Sequence, residues 1–145
     1  MSETRSDRPE TTARVARGVC RVLQAHGWMP VLEAPLANGR RADVLAIGPR
    51  GEIWIVETKS GLPDFVADSK WPEYLDYCDC FFFGVDESFP RHVLPPDAGQ
   101  IVADNFGGEI IHRPVLRALP PARRKALTLM VARLAASRLT KLADG

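Results

Sequence analysis

The order of apolar and polar positions along the chain predicts alternating helices and strands. Val15, Val19, Val22 and Leu23 recur at helical spacing. They predict a helix from about Pro9 or Glu10 to His26, stopped by Gly27. Trp28 to Leu36 reads as a first strand with Pro30 at its start and Pro35 near its end, and Asn38-Gly39 is a strong hairpin turn. Two runs rich in Val, Ile, Leu and Trp follow, separated by the turn signal Gly48-Pro49-Arg50-Gly51. Ser60-Gly61-Leu62-Pro63 breaks the second run, one or two helical turns are expected over Asp64 to Asp68, and Pro72 is suited to opening another short helix through Tyr77. Cys80-Phe81-Phe82-Phe83-Gly84-Val85, bounded by Asp79 and Asp86, has the continuous apolar character of a buried central strand. A proline-rich connection over Ser88 to Asp97 leads to two short strands, Gly99 to Asp104 and Glu109 to Arg113. The last helix opens at Pro120-Pro121 and runs to about Ala143, with Leu127, Met130, Val131, Leu134 and Leu139 as its expected core stripe.

The hairpin in the middle carries charges where a buried sheet should have none. A turn centred near Arg50 places Ile47 opposite Ile53, Leu45 opposite Ile55 and Asp43 opposite Glu57. By strict alternation Lys59 shares the face of Glu57 and Asp43, Thr58 points away, and Ala42, Val44 and Ala46 meet Trp54 and Val56 on the other face. Both faces are apolar, so helices are expected on both sides of the hairpin. Like charges directly opposed across strands are destabilising, and unpaired carboxylates in apolar surroundings are costly. A hard divalent cation relieves both, because magnesium and manganese take carboxylate, carbonyl and water ligands. The alternative is a structural ion pair of Lys59 with Glu57, with Asp43 merely ending a strand. Glu33, the odd residue of the first strand, either approaches this pair as a metal or water ligand or faces solvent.

Composition narrows the class. A chain of 145 residues that is 46% hydrophobic and 26% charged is expected to form one soluble domain, here residues 10–145 behind a polar tail, 1–9, expected to be disordered. No run of 18 apolar residues occurs and Met1 to Pro9 is too polar for a signal peptide, so no membrane contact and a cytoplasmic location are expected. Cys20, Cys78 and Cys80 form neither an even disulfide set nor a zinc spacing and are read as reduced thiols. A net charge of +1 makes no global case for nucleic acid, so any such case rests on local clusters. Arg14 and Arg17 on the first helix, Arg40 and Arg41 before Asp43, Lys70, and Arg123 and Arg124 opening the last helix are the candidates for phosphate contact. Solvated helix faces are the plainer reading of the helical ones. Trp71 and Tyr74 suit either the core or base stacking, and His92 and His112 belong to no visible nucleophile–base set.

Asp43, thirteen residues, then Glu57-Thr58-Lys59 resembles the core motif of the PD-(D/E)XK nuclease superfamily. The longer set Gly39-Arg40-Arg41-Ala42-Asp43, Ile55-Val56-Glu57-Thr58-Lys59-Ser60, Asp64-Phe65, Asp68-Ser69-Lys70-Trp71-Pro72-Glu73-Tyr74 and Pro121-Ala122-Arg123-Arg124-Lys125-Ala126 resembles the MmcB family of bacterial DNA-repair proteins, over about Thr12 to Leu139. Ala42 departs from the proline of the superfamily's name. The resemblance implies an α/β fold with a restriction-endonuclease-like αβββαβ core, a mixed central sheet flanked by helices, and a basic C-terminal helix. It implies metal-dependent hydrolysis of DNA in repair. Asp43, Glu57 and the Thr58 backbone carbonyl would hold Mg2+ or Mn2+, and Lys59 would serve the water or the transition state. Glu10 is the candidate for the further acid that the first helix sometimes supplies in that superfamily. The implied partners are DNA and a homodimer mate or larger repair protein. The alternative function is a module that binds DNA structures or a repair partner without cutting.

Overall fold

The computed structural model describes residues 8–145; of the tail expected over residues 1–9, residues 1–7 lie outside the described residues, and Arg8 and Pro9 instead open the first helix. Helix α1 spans Arg8–Ala25 and is followed by strands β1 Met29–Pro35, β2 Arg41–Ile47 and β3 Ile53–Thr58. A short helix α2 Leu62–Ala67 and a 3-10 segment Trp71–Tyr77 lead into β4 Cys80–Val85. Strands β5 Gly99–Ala103 and β6 Gly108–His112 and the long helix α3 Pro121–Ala143 complete the chain. The six strands form one mixed sheet in the order β1-β2-β3-β4-β5-β6. The β1/β2, β2/β3 and β5/β6 pairs are antiparallel, and β3/β4 and β4/β5 are parallel. Because β1 is an edge strand, Pro30 and Pro35 have a free side on which a missing N–H does no harm.

Each face of the sheet has its own core. On one, Val15, Val19, Val22 and Leu23 of α1 cover Val44, Ala46, Trp54, Val56 and Phe82. On the other, Leu127 and Val131 of α3 and Tyr74 of the 3-10 segment share a cluster with Leu45, Ile53, Ile55, Phe81 and Phe83. The hairpin is therefore covered on both sides, as its apolar faces require. Trp71 stacks on Phe81 at 5.6 Å between ring centres and meets Phe83 edge-on, which assigns it to the core. Close approach of α1 to the sheet needs Gly18, where an added Cβ would lie 2.0 Å from the Asp104 carbonyl oxygen.

Two expectations are corrected. Leu139 is 68% exposed, because α3 turns only its Leu127, Val131 and Leu134 side toward the domain. Ala42 joins the α3-side cluster with Leu45, although strict alternation puts it with Val44 and Ala46. The alternation slips on both strands at one level. Leu32 pairs with Val44 and Ala34 with Ala42, and between them lie Glu33, in a left-handed conformation at φ 49°, and Asp43.

Candidate active site at the open end of the hairpin

The β2/β3 ladder has the register expected from the turn, with Ile47 opposite Ile53 and Leu45 opposite Ile55. Past Val44 and Val56, side chains replace it. The Asp43 N–H donates to Glu57 Oε1 at 2.9 Å, while the Thr58 N–H and hydroxyl both donate to Asp43 Oδ2 at 2.9 Å. Thr58 thus turns its hydroxyl to Asp43 instead of pointing away, a consequence of the slip at Asp43. Each carboxyl is thus held by a backbone N–H of the other's strand. Glu57 is buried, and burial first, then the Asp43 charge, push its carboxyl up to about 9.

Lys59 is buried beside them, its backbone N–H bonded to the Gly84 carbonyl of β4. Its ammonium does not pair with Glu57, the arrangement expected of a structural ion pair. It lies 2.8 Å from Asp68 Oδ2, beyond the break in the chain after β3. Asp68 also accepts the Lys70 N–H. Burial works to raise the Asp68 carboxyl, but the Lys59 and Lys70 hydrogen bonds outweigh it and hold the carboxyl below its ordinary range. Tyr74 completes this side of the site, its hydroxyl donating to the Arg41 carbonyl.

On the α1 side a crevice of about 380 Å³ opens onto Asp43, Thr58, Glu33 and Arg17. Glu33 is exposed on β1 and lines this crevice, and its backbone is held from a distance: Arg138 of α3 donates to the carbonyls of Leu32 and Glu33. Glu10 is exposed on the first turn of α1, which meets the crevice through Pro9, Thr12, Ala13 and Ala16 instead. Among the described residues no group of three or more His, Cys, Asp or Glu side chains forms a metal-holding cluster. A cation here would draw on the Asp43–Glu57 pair with carbonyl and water oxygens. That set fits magnesium or manganese, which keep several waters.

The candidate phosphate-binding residues divide. Arg41 and Lys70 are exposed close to Asp43 and Asp68 in the chain. Arg14 donates to the Thr11 hydroxyl, Arg17 to Asn105 Oδ1 at 2.6 Å, and Arg40 forms an ion pair of 3.1 Å with Glu73. Arg123 bonds the Asp76 carbonyl and covers the Tyr77 ring. Arg124 is a correction. It grips both oxygens of Asp79 at 2.7 Å, at the end of β3 away from Glu57. Asp79 also accepts the N–H groups of Ile53 and Leu119. Its importance was missed in the sequence, where the one signal was a charge abutting a fully apolar strand.

Fold and site define a class, an α/β protein with an open mixed sheet that brings two acids and a lysine to the ends of neighbouring strands. Within it, the chain belongs to the MmcB-like DNA repair protein family, whose model matches residues 1–145. No curated protein matches the chain. A solved structure, the SPO1766 protein of unknown function from Silicibacter pomeroyi, is 46% identical, covers 92% of this chain and 92% of its own, and superposes with a TM-score of 0.90.

Proposed function

We propose that the protein is a metal-dependent DNA nuclease of the PD-(D/E)XK type, acting on structured or damaged DNA in repair. The reading rests on Asp43 and Glu57, two acids that meet at a strand end, each carboxyl accepting a backbone N–H of the other's strand, while the neighbouring lysine is engaged elsewhere. A cation there would offset the cost that burial and the Asp43 charge place on an ionised Glu57. The αβββαβ succession from α1 to β4 agrees with this reading, and membership of a repair family supports DNA as the substrate.

Asp43 and Glu57, with the Thr58 carbonyl, would hold Mg2+ or Mn2+, which when bound polarises a phosphodiester and makes a nearby water more acidic. Thr58 holds Asp43 in place through its N–H and hydroxyl. Lys59 presents a positive charge to the phosphate or the attacking water, and Asp68 positions that ammonium. Glu33 faces the same crevice from β1, where it can orient water. No element of the site reads bases, so recognition would follow DNA shape, through Arg14, Arg17, Arg41 and Lys70.

The Lys59–Asp68 pair favours one second reading, a module that binds DNA structures without cutting, since it occupies the ammonium that hydrolysis needs. Cleavage of labelled single-stranded, duplex, flapped, gapped and four-way DNA with Mg2+ or Mn2+ decides between the two. The expected result is cutting that stops with a chelator, with Asp43→Asn or with Lys59→Ala, while the two variants still bind DNA. Binding of structured DNA by the wild type with no cutting under any of these conditions supports the module.

A further inference from the structure

We infer that the pocket at the end of the sheet away from Glu57 binds a free mononucleotide, with guanine the base its acid selects. The pocket measures about 630 Å³, within the roughly 300–1,000 Å³ of small-molecule sites. It opens where β3 and β4 begin, at Trp54 and Cys80, past the C-terminal end of α1. The crevice at Asp43 borders the opposite end of that helix, whose 18 residues extend about 27 Å. The two share no lining residue, so the inference stands apart from the nuclease reading.

Trp28 and Trp54 stack at 3.8 Å between ring centres and give the pocket an aromatic wall. The sequence makes room for that stack at Gly48, where an added Cβ would lie 2.7 Å from the Trp28 ring. Pro114, Leu116 and Ala118, between β6 and α3, add an aliphatic wall, and Leu116 is left 69% exposed. A flat base laid against these walls covers apolar surface that the chain itself leaves open.

The polar groups set the rest of the ligand. Asp79 and Arg124 line the pocket but are taken up with each other, and each Asp79 oxygen also accepts a backbone N–H. Arg50 and Arg113 are differently placed. Both are exposed at the pocket, Arg113 lies over the Trp54 ring, and among the described residues neither guanidinium is in an ion pair. Two guanidiniums suit one phosphate, which accepts from both. A DNA strand would ask for a row of cations along its backbone, so a single free nucleotide is the better match. Glu52 is the remaining group. Its Oε1 takes the Arg50 N–H, and its Oε2 accepts no hydrogen bond from a described residue. A carboxylate is served best by two adjacent donors. Guanine offers them, a ring N–H beside an amino group, whereas adenine and cytosine set the amino group beside an acceptor nitrogen and thymine sets its N–H between two carbonyls.

Nuclear magnetic resonance of the isotope-labelled full chain, without divalent cations, tests the assignment through the indole N–H signals of its three tryptophans. Deoxyguanosine monophosphate should shift Trp28 and Trp54 saturably and leave Trp71, stacked on Phe81 in the other core, unmoved. Arg50→Ala and Arg113→Ala should each raise the dissociation constant about tenfold or more, the loss of a hydrogen bond to a charged group. Arg50 is exposed and touches neither indole, so its variant should keep the wild-type melting curve and read the phosphate contact alone. Deoxyguanosine, without the phosphate, should bind about tenfold more weakly for the same reason. Deoxyadenosine monophosphate should also bind more weakly, and Glu52→Gln should narrow the difference between the two bases. The proposal is overturned by indoles that stay still at millimolar nucleotide, by binding indifferent to both arginine substitutions, or by deoxyguanosine or deoxyadenosine monophosphate binding as well. A single-stranded oligonucleotide that moves the same two indoles more strongly than the free nucleotide overturns it too.

Discussion

Glu57 sits in a setting that penalises its charge: it is buried, with Asp43 against it and the nearest ammonium turned to Asp68. Its carboxyl is raised from 4.5 to about 9. An acid whose folded value lies above its unfolded value keeps its proton in the fold after the unfolded chain has lost it, so stability falls as pH rises through that interval. Without divalent cations, melting temperature should therefore decline between pH about 5 and 9, and Glu57→Gln should flatten the decline. Adding Mn2+ at pH 8 should raise the melting temperature of wild type, by displacing the Glu57 proton, and leave Glu57→Gln nearly unmoved. A wild-type melting curve indifferent to Mn2+ counts against the paired acids as a cation site. Thermal melts monitored by circular dichroism across this pH range, with and without the metal, make the measurement.

At the scale of elements, Asp79 joins three parts of the fold. It sits at the start of β4, takes the Ile53 N–H of β3 and the Leu119 N–H before α3, and holds Arg124 on α3's first turn. Burial alone would raise its carboxyl, but the Arg124 hydrogen bonds and the two N–H donors hold it below its ordinary range. Its contribution is present above the unfolded value of 3.8 and is lost as pH falls through the lower folded one. Asp79→Ala should cost about 2–4 kcal/mol in urea unfolding, because two buried N–H groups lose their acceptor at about 1–3 kcal/mol each. Arg124→Gln should cost less, since that side chain is partly exposed and the N–H groups keep Asp79. The same ordering in DNA binding is not expected: Arg124 is spent on the fold, and its loss should leave affinity for DNA largely unchanged where the protein remains folded.

For the whole molecule, a net charge of +1 means that no general field would draw DNA in, and under the proposed function affinity would depend on the few cations near the site. Substituting Arg41 and Lys70 by alanine should weaken binding to all DNA sequences alike and flatten the logarithmic dependence of affinity on salt by about one unit per residue. Fluorescence anisotropy over a salt series reads both. A loss confined to one sequence would point to base reading that the site does not otherwise suggest.

What the chain's residues determined alone are the properties set by local chemistry. The turn at Gly48 to Gly51 and the alternation around it determined the β2/β3 register, and so the meeting of Asp43 with Glu57. The apolar run Cys80 to Val85 determined a central strand. Tertiary structure decided which charges face which. Lys59 chose Asp68 over Glu57 because the chain turns back after β3. Arg124 went to Asp79 because α3 starts beside the opposite end of that strand. Thr58 turned to Asp43, and Ala42 changed faces, because β1 and β2 slip together at Glu33, a distortion gripped by Arg138 from a helix 105 residues away. Leu139 faces outward because the domain reaches only one side of α3. Periodicity specifies a residue's place on its own element. Ion pairs and exposure depend on elements distant in sequence, whose approach follows from packing the two faces of the sheet.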